Sequence, residues 1–319
     1  MNHPLQNWLE WAALSTATRV VRDWNYPSLE SASKILGNLV WACDPKGRRT
    51  SMQNLEAAFP GRRTASQNRR IARGSYVSFA RTMLEVFWAP NVTLEFVRRH
   101  IVFEGLGRDE QAPGRPAIYC CMHFGNFEWL ALVGALTITR GPVIAQRFRN
   151  PLLGPVFDSL RASAGSQVIP QERAMLRMLK HLKSGGKFGM LVDLNLDPRE
   201  GSVPVKTFGG LIASVTQMHV AVAQRTGASV IPIECVPSPG GYPKIVVHPG
   251  FACPPEADAA ALVQKCWDAL EPSIHAQPEY WLWSYKHWRF RPSGDSARYP
   301  AYANPSKRFD DLLARHGMA

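Results

Sequence analysis

Two ionisable side chains, His123 and Glu128, interrupt the otherwise apolar stretch AIYCCMHFGNFEWLALVGALTIT (Ala117–Thr139). An imidazole with a carboxylate five residues on can form a general base and its orienter. The carboxylate would hold the tautomer that leaves the other ring nitrogen free to take a proton. Pro116 introduces the apolar run Ala117–Met122, which fits a buried strand. Gly125 and Asn126 break that run, and Glu128 opens a second one, so the pair sits where a strand hands over to a helix. A helix N-terminus favours negative charge there, on Glu128 or on a developing oxyanion. A single histidine in an apolar segment is more often a core residue. The glycine turn, the Glu and the strand-to-helix context together point this one toward catalysis.

Other segments carry chemistry more weakly. Arg147 and Arg149, in Gln146–Pro151, follow a strand signal and precede a helix signal, which is where open α/β sheets take ligands. Their guanidinium groups would fork onto a phosphate or a phosphopantetheine-linked donor, or else stand on a solvated loop. Asp193, Asn195 and Asp197 follow another strand signal without the Gly and distal Glu of a calcium loop, which favours structural or substrate-positioning roles over metal binding. Gly209 and Gly210, at the end of Lys206-Thr-Phe-Gly-Gly, suit a close approach of backbone to a ligand or a neighbouring element. Pro278–Arg291 packs six aromatics and three fixed cations into 14 residues, fitting a lipid interface, a cap on the core, or both. The chain has no Gly-x4-Gly-Lys-Ser/Thr and no Gly-x-Ser-x-Gly, which disfavours an ATPase and a serine-elbow hydrolase.

The elements that must position these residues follow from periodicity and breakers. Helices are predicted over about 5–23, 28–43, 48–59 and 66–88, the last capped by Ser66 and stopped at Pro90. From Ile101 the signals alternate, with strands at 101–104, 117–122, 142–145, 167–169, 188–192, 229–235 and 244–247. Helices are predicted at about 127–139, 152–162, 172–182 and 213–225, with a last one over 257–274. Met175, Leu176, Met178, Leu179 and Leu182 recur at helical spacing as a core stripe. The alternation implies an α/β fold, a mixed and mostly parallel sheet flanked by helices, with an N-terminal helical region. The expected division is a helical region over 1–99 packed on the core, an α/β core over 100–292, and a polar, loose tail over 293–319.

Composition bounds the partners. With 45% apolar and 19% charged residues, the 319-residue chain can bury a sizeable core. Its 37 Lys+Arg against 25 Asp+Glu give +12 and a pI near 9.7, a surface that seeks anionic partners. Phospholipid headgroups and phosphorylated glycolipids fit. Nucleic acid is disfavoured, because no zinc-finger spacing or basic–aromatic groove is present. The 10 Trp and 14 Phe suit a membrane interface. Six Cys without any C-x-x-C pair read as a reduced, cytosolic-facing protein with neither a disulfide framework nor a structural zinc. No signal-peptide pattern and no apolar window of about 18 residues is found, so membrane attachment is expected to be peripheral. Residues 5–23 fit either an interfacial amphipathic helix or an ordinary packed one.

Three stretches, in this order, resemble the bacterial late lipid A acyltransferases of the lysophospholipid acyltransferase superfamily. Asn54-Leu-Glu-Ala-Ala-Phe-Pro60 resembles their Asn-Leu-x-x-x-Phe-Pro signature, and His123-Phe-Gly-Asn-Phe-Glu128 their His-x4-Asp/Glu motif. Pro278-Glu-Tyr-Trp-Leu-Trp283, with Arg289 after it, is similar to their Pro-x-x-Trp-x-Trp segment. Arg147 and Asn150-Pro151 match an Arg-x-x-Asn-Pro element, whereas Asp193 and Phe208-Gly209 match Asp-Gln and Phe-Phe-Gly elements in part, Asn195 and Thr207 departing from the usual residues. The resemblance covers roughly residues 35–291. It implies a glycerolipid-acyltransferase-like fold and direct transfer of an acyl group from acyl carrier protein or acyl-CoA to a hydroxyl of a glycolipid or lysolipid. No cofactor and no catalytic metal would be needed. His123 and Glu128 would be catalytic. Gly125, Asn126, Arg147, Arg149, Asn150, Asp193, Phe208 and Gly209 would bind substrate, on the cytoplasmic face of an anionic inner membrane. Mycobacterial acyltransferases acting on phosphatidylinositol mannosides share the motif, so that acceptor class stays open beside lipid A. A non-catalytic lipid-binding protein on the same scaffold and a thioester hydrolase are the rival readings.

Overall fold

The computed structural model describes residues 4–318 apart from 106, 108–113, 139–141, 146–149, 163–166, 171–173, 200, 239–240 and 295–297. Five helices come first: α1 (Pro4–Arg22), α2 (Tyr26–Cys43), α3 (Pro45–Ala58), α4 (Ala65–Trp88) and the short α5 (Leu94–His100). Pro27 and Pro45 stand in first turns, where a missing N–H costs no helical hydrogen bond. α4 starts one residue before Ser66, because Thr64 and Gln67 form a reciprocal capping box.

The remaining chain alternates as expected. In order it forms β1 (Val102–Glu104), β2 (Ala117–Cys121), α6 (Phe127–Thr137), β3 (Pro142–Ala145), α7 (Leu153–Ala162), β4 (Gln167–Pro170), α8 (Ala174–Lys183) and β5 (Lys187–Leu191). Then come β6 (Ser202–Thr207), β7 (Leu211–Thr216), α9 (Met218–Thr226), β8 (Ser229–Val236), β9 (Lys244–Val247) and α10 (Ala259–Ala276). Seven strands make one sheet in the order β1-β9-β8-β2-β5-β3-β4, and only the β8–β9 pairing is antiparallel. The mixed, mostly parallel sheet expected from the sequence is therefore present.

Central β2 is buried along its whole length, as a parallel strand covered on both faces must be. Its side chains alternate between two apolar clusters. Ile118 and Cys120 join α3, α9 and α10 on one face, while Ala117, Tyr119 and Cys121 join α6 and the end of α4 on the other. The N-terminal helices feed both clusters, through Leu55 and Phe59 on one side and Leu84, Val86 and Phe87 on the other.

Two segments depart from expectation. Residues from Ala213 onward were expected to be helical, but β6 and β7 form an antiparallel hairpin and α9 begins only at Met218. Val203, Val205, Leu211, Ala213 and Val215 are buried at strand spacing, and Gly209 and Gly210 make the turn at φ 70° and 121°. The second departure is the C-terminal tail. β10 (Phe290–Arg291) pairs with β11 (Asn304–Pro305), and α11 (Lys307–Arg315) buries Phe309, Leu312 and Leu313. Three apolar residues at helical spacing are enough to dock an otherwise polar helix.

Candidate active site

β2 and β5 pair in parallel with a constant offset, Ala117 opposite Lys187 through Cys121 opposite Leu191. Beyond the strand ends the Val192 N–H still reaches the Cys121 carbonyl at 3.0 Å. One residue further, the same register sets His123 beside Asp193 at the carboxyl edge of the sheet. Asp193 Oδ1 lies 2.7 Å from His123 Nδ1, and Oδ2 accepts the His123 backbone N–H at 2.9 Å. Oδ2 also accepts Trp281 Nε1–H at 2.9 Å. Burial alone would raise the Asp193 carboxyl, but the charge and hydrogen bond of His123, the field of His287 and the His123 N–H bring it down to about 2. An ionised carboxylate against Nδ1 places the imidazole proton there. That leaves Nε2, which makes no hydrogen bond among the described residues, as a lone pair on a ring 12% exposed to solvent.

The orienting carboxylate is thus Asp193, not Glu128 as read from the sequence. The turn at Gly125 carries Glu128 into the first turn of α6, where it lines a small pocket with Val86, Ala89, Trp129, Ala131, Leu132 and Leu160. Gly125 is required by its φ of 57° and by the Cys235 carbonyl, which a Cβ would meet at 2.0 Å. Its N–H donates to the Tyr280 carbonyl at 2.9 Å, so it is committed and not open to an oxyanion. The Gly125 carbonyl accepts the Thr82 hydroxyl at 3.1 Å, and the His123 carbonyl accepts Leu282 N–H at 3.2 Å. Asn126 caps α6 through Trp129 N–H at 3.1 Å and donates its amide to Glu85 Oε2. Both residues hold the turn in shape.

Glu85 was missed by sequence reasoning, although a lone carboxylate in Met83-Leu-Glu-Val-Phe87 was a signal. It is 1% exposed and accepts Tyr26 OH at 2.7 Å and Arg81 Nε at 2.8 Å besides Asn126. Burial and the Glu85 charge push the Tyr26 hydroxyl far above its usual range. Through this network α4 grips the histidine turn. Glu85→Ala leaves Arg81, Tyr26 and Asn126 without their acceptor and is expected to cost about 3–5 kcal/mol, read as a lower urea midpoint.

An aromatic wall backs the pair. Trp281, Trp283 and Trp288 are buried, Phe208 lies 5.2 Å from Trp281, and Phe59 lies 5.6 Å from Phe208. Asn54 pins this wall, donating to the Trp283 and Tyr285 carbonyls at 2.8 and 2.7 Å. His287 stacks on Trp281 at 3.8 Å and 19°. Burial, outweighing the pull of Asp193, pushes His287 from 6.5 down to about 4. Below pH 6.5 the unfolded chain takes a proton that the folded chain refuses until about pH 4, so stability should fall across that window. The full loss is on the order of 3 kcal/mol. Asp193 adds a second step, since its stabilisation is present above pH 3.8 and lost as pH falls toward about 2. Denaturant midpoints at pH 7 and pH 4.5 check the first step, which His287→Asn should flatten.

The other candidates make no hydrogen bond to His123 or Asp193 among the described residues. Phe208 is a buried wall residue whose N–H donates to Glu271 Oε1 at 2.9 Å, and Gly209 accepts from Arg298 in the hairpin turn. Asn150 is buried and donates to the Asn7 carbonyl and to Glu10 Oε2, both at 2.9 Å, tying α1 to the segment after β3. These three are engaged in holding the fold and not, in this arrangement, in an open binding surface. Arg147 and Arg149 lie outside the described residues.

Residues 2–290 match the model of a family described as bacterial lipid A biosynthesis acyltransferase. The chain is 25% identical over 303 residues to the lipid A biosynthesis lauroyltransferase of Escherichia coli (strain K12), spanning 93% of this chain and 96% of that one. Among solved structures, the 1-acyl-sn-glycerophosphate acyltransferase of Thermotoga maritima matches at a TM-score of 0.39 and 14% identity, over 77% of this chain and 96% of that one.

Proposed function

Because this chain belongs to the bacterial lipid A biosynthesis acyltransferase family, we propose that it moves a fatty acyl group from an acyl thioester to a hydroxyl of a membrane glycolipid such as a lipid A precursor. The donor would be carried on acyl carrier protein or coenzyme A. The observation that carries the reading is the buried Asp193 against Nδ1 of a histidine whose Nε2 is left as a base. In the reaction, Nε2 takes the hydroxyl proton as that oxygen attacks the thioester carbonyl, while Asp193 stabilises the imidazolium. The carbon–sulfur bond then breaks and the leaving sulfur takes the proton back from His123, with no acyl-enzyme. The N-terminal end of α6 and the cation of Arg147 are assigned to the oxyanion. Glu128, facing an apolar pocket beside the turn, is assigned to holding the acceptor.

Access to such substrates would come from the membrane surface. Among the described residues no helix is long and apolar enough to cross a membrane. Leu5, Trp8 and Leu9 on α1 and Ile35, Leu39 and Val40 on α2 are exposed, on a chain carrying +12. This combination suits peripheral docking on the anionic cytoplasmic face of the inner membrane. Replacing Trp8 and Leu9 together by Ser is expected to weaken binding to anionic vesicles about tenfold or more. Flotation of wild type and variant checks it, and high salt should weaken both.

The test of the function is incubation of the purified chain with acyl carrier protein thioester, or acyl-CoA, and a lipid A precursor bearing a free hydroxyl. Mass spectrometry is expected to show one added acyl chain on the acceptor. Release of free fatty acid alone would favour a hydrolase, and an unconsumed thioester with lipid still bound would favour a binding protein.

A further inference from the structure

The cysteines that no short spacing connects meet in the folded chain. Cys120 lies on β2, His219 in the first turn of α9 and Cys266 within α10. Both sulfurs and an imidazole nitrogen lie within 4.8 Å of one another, and all three residues are fully buried. Among the described residues neither ring nitrogen of His219 has a nitrogen or oxygen hydrogen-bond partner, and the group it meets is the Cys266 thiol, an unusual state for a buried imidazole. The His123–Asp193 chemistry uses none of the three.

We propose that Cys120, His219 and Cys266 form a structural metal site that takes one zinc ion. Sulfur and imidazole donors select a borderline or soft ion over magnesium or calcium, which want oxygen. Charge selects a divalent one. Two thiolates, a neutral imidazole and Zn²⁺ sum to zero, so the complex can sit in an apolar core, whereas Cu⁺ with both thiolates would bury a net negative charge. Zinc bonds of about 2.3 Å to sulfur and 2.0 Å to nitrogen put tetrahedral donors roughly 3.5–3.8 Å apart, within side-chain rotation of the arrangement present. The remaining position is left to a neutral ligand such as a water, because a third thiolate would break the zero sum. Both thiol protons leave to solvent on binding, and the ion replaces the weak thiol contact of His219 with a ligand bond. The site would staple β2 to α9 and α10, fixing the strand that leads to His123.

The test uses the tag-free full chain purified from zinc-supplemented medium. About one zinc per chain is expected by elemental analysis, with Cd²⁺ exchange giving a thiolate charge-transfer band in the near ultraviolet. Cys266→Ser and His219→Ala should drop zinc to background, while Cys43→Ser, at an exposed thiol, should keep it. A wild-type measurement covers variants that fail to fold: stripping with a chelator should lower the unfolding temperature, and zinc should restore it. Zinc at background with an unfolding temperature indifferent to chelator and to added zinc would overturn the site. So would zinc retained in a folded Cys266→Ser chain, or a Cys120–Cys266 disulfide found by mass spectrometry of the native protein. Failure of acyl transfer alone would bear on the catalytic reading and not on this one.

Discussion

His123→Ala is expected to lower acyl transfer by up to about 10⁴-fold, the full contribution of a general base, with the loss in kcat and little change in KM. The reason is positional. Nε2 is the unpaired nitrogen of a ring fixed by Asp193 on its other side, and among the described residues no second imidazole in the site is free to replace it. His287 is buried, stacked on Trp281 and bonded through Nε2 to the Leu282 carbonyl at 2.8 Å. The substitution also leaves the Asp193 carboxylate with two of its three donors, the His123 N–H and Trp281 Nε1. A stability loss of about 1–3 kcal/mol should accompany the loss of activity. Denaturation curves separate the two effects, because a folded variant at assay temperature that still turns over would remove His123 from the mechanism.

Asp193→Asn should cost about 10³–10⁴-fold in kcat while keeping the shape of the site. Asp193 Oδ2 takes two N–H donors, so the amide oxygen of an Asn is drawn to that position. Its NH₂ group is then turned onto His123 Nδ1, which must become the acceptor. The proton moves to Nε2 and the base is lost by tautomer, without any missing contact. ¹⁵N chemical shifts of the His123 ring would report the switch directly. If Glu128 rather than Asp193 set the tautomer, Glu128→Gln would produce that shift and Asp193→Asn would not.

Most of the sheet was legible because its strands are short β-rich runs fenced by Pro and Gly, as in Pro116-Ala-Ile-Tyr-Cys-Cys121. The β6–β7 hairpin was not. Ala213–Thr216 runs directly into the apolar residues of α9, and composition alone does not mark where the period changes from strand to helix. In the site, His123 was legible from its residue type and setting. Its partner was assigned to the nearest carboxylate along the chain, because sequence shows local spacing and hides the pairing of strands 70 residues apart. Glu85, Asn54 and Trp281 likewise act through side-chain contacts with residues far away in the sequence. The motif Asn54-Leu-x-x-x-Phe-Pro marks a pin for the aromatic wall, so short motifs here flag residues that assemble the site as well as those that react.

The shared offset of β2 and β5 makes chain length a determinant of chemistry. Residue counts from Ala117 to His123 and from Lys187 to Asp193 act as two matched rulers. Deleting one residue within 187–192 would set Leu194 beside His123 and turn the neighbouring side chains to the opposite face, a greater injury than most substitutions at the same positions. Surface connections between elements carry no such count. Length variation among related chains should therefore gather in the loops and stop at these two strands, and an alignment that opens a gap inside either has misplaced the residues that pair as His123 and Asp193 do here.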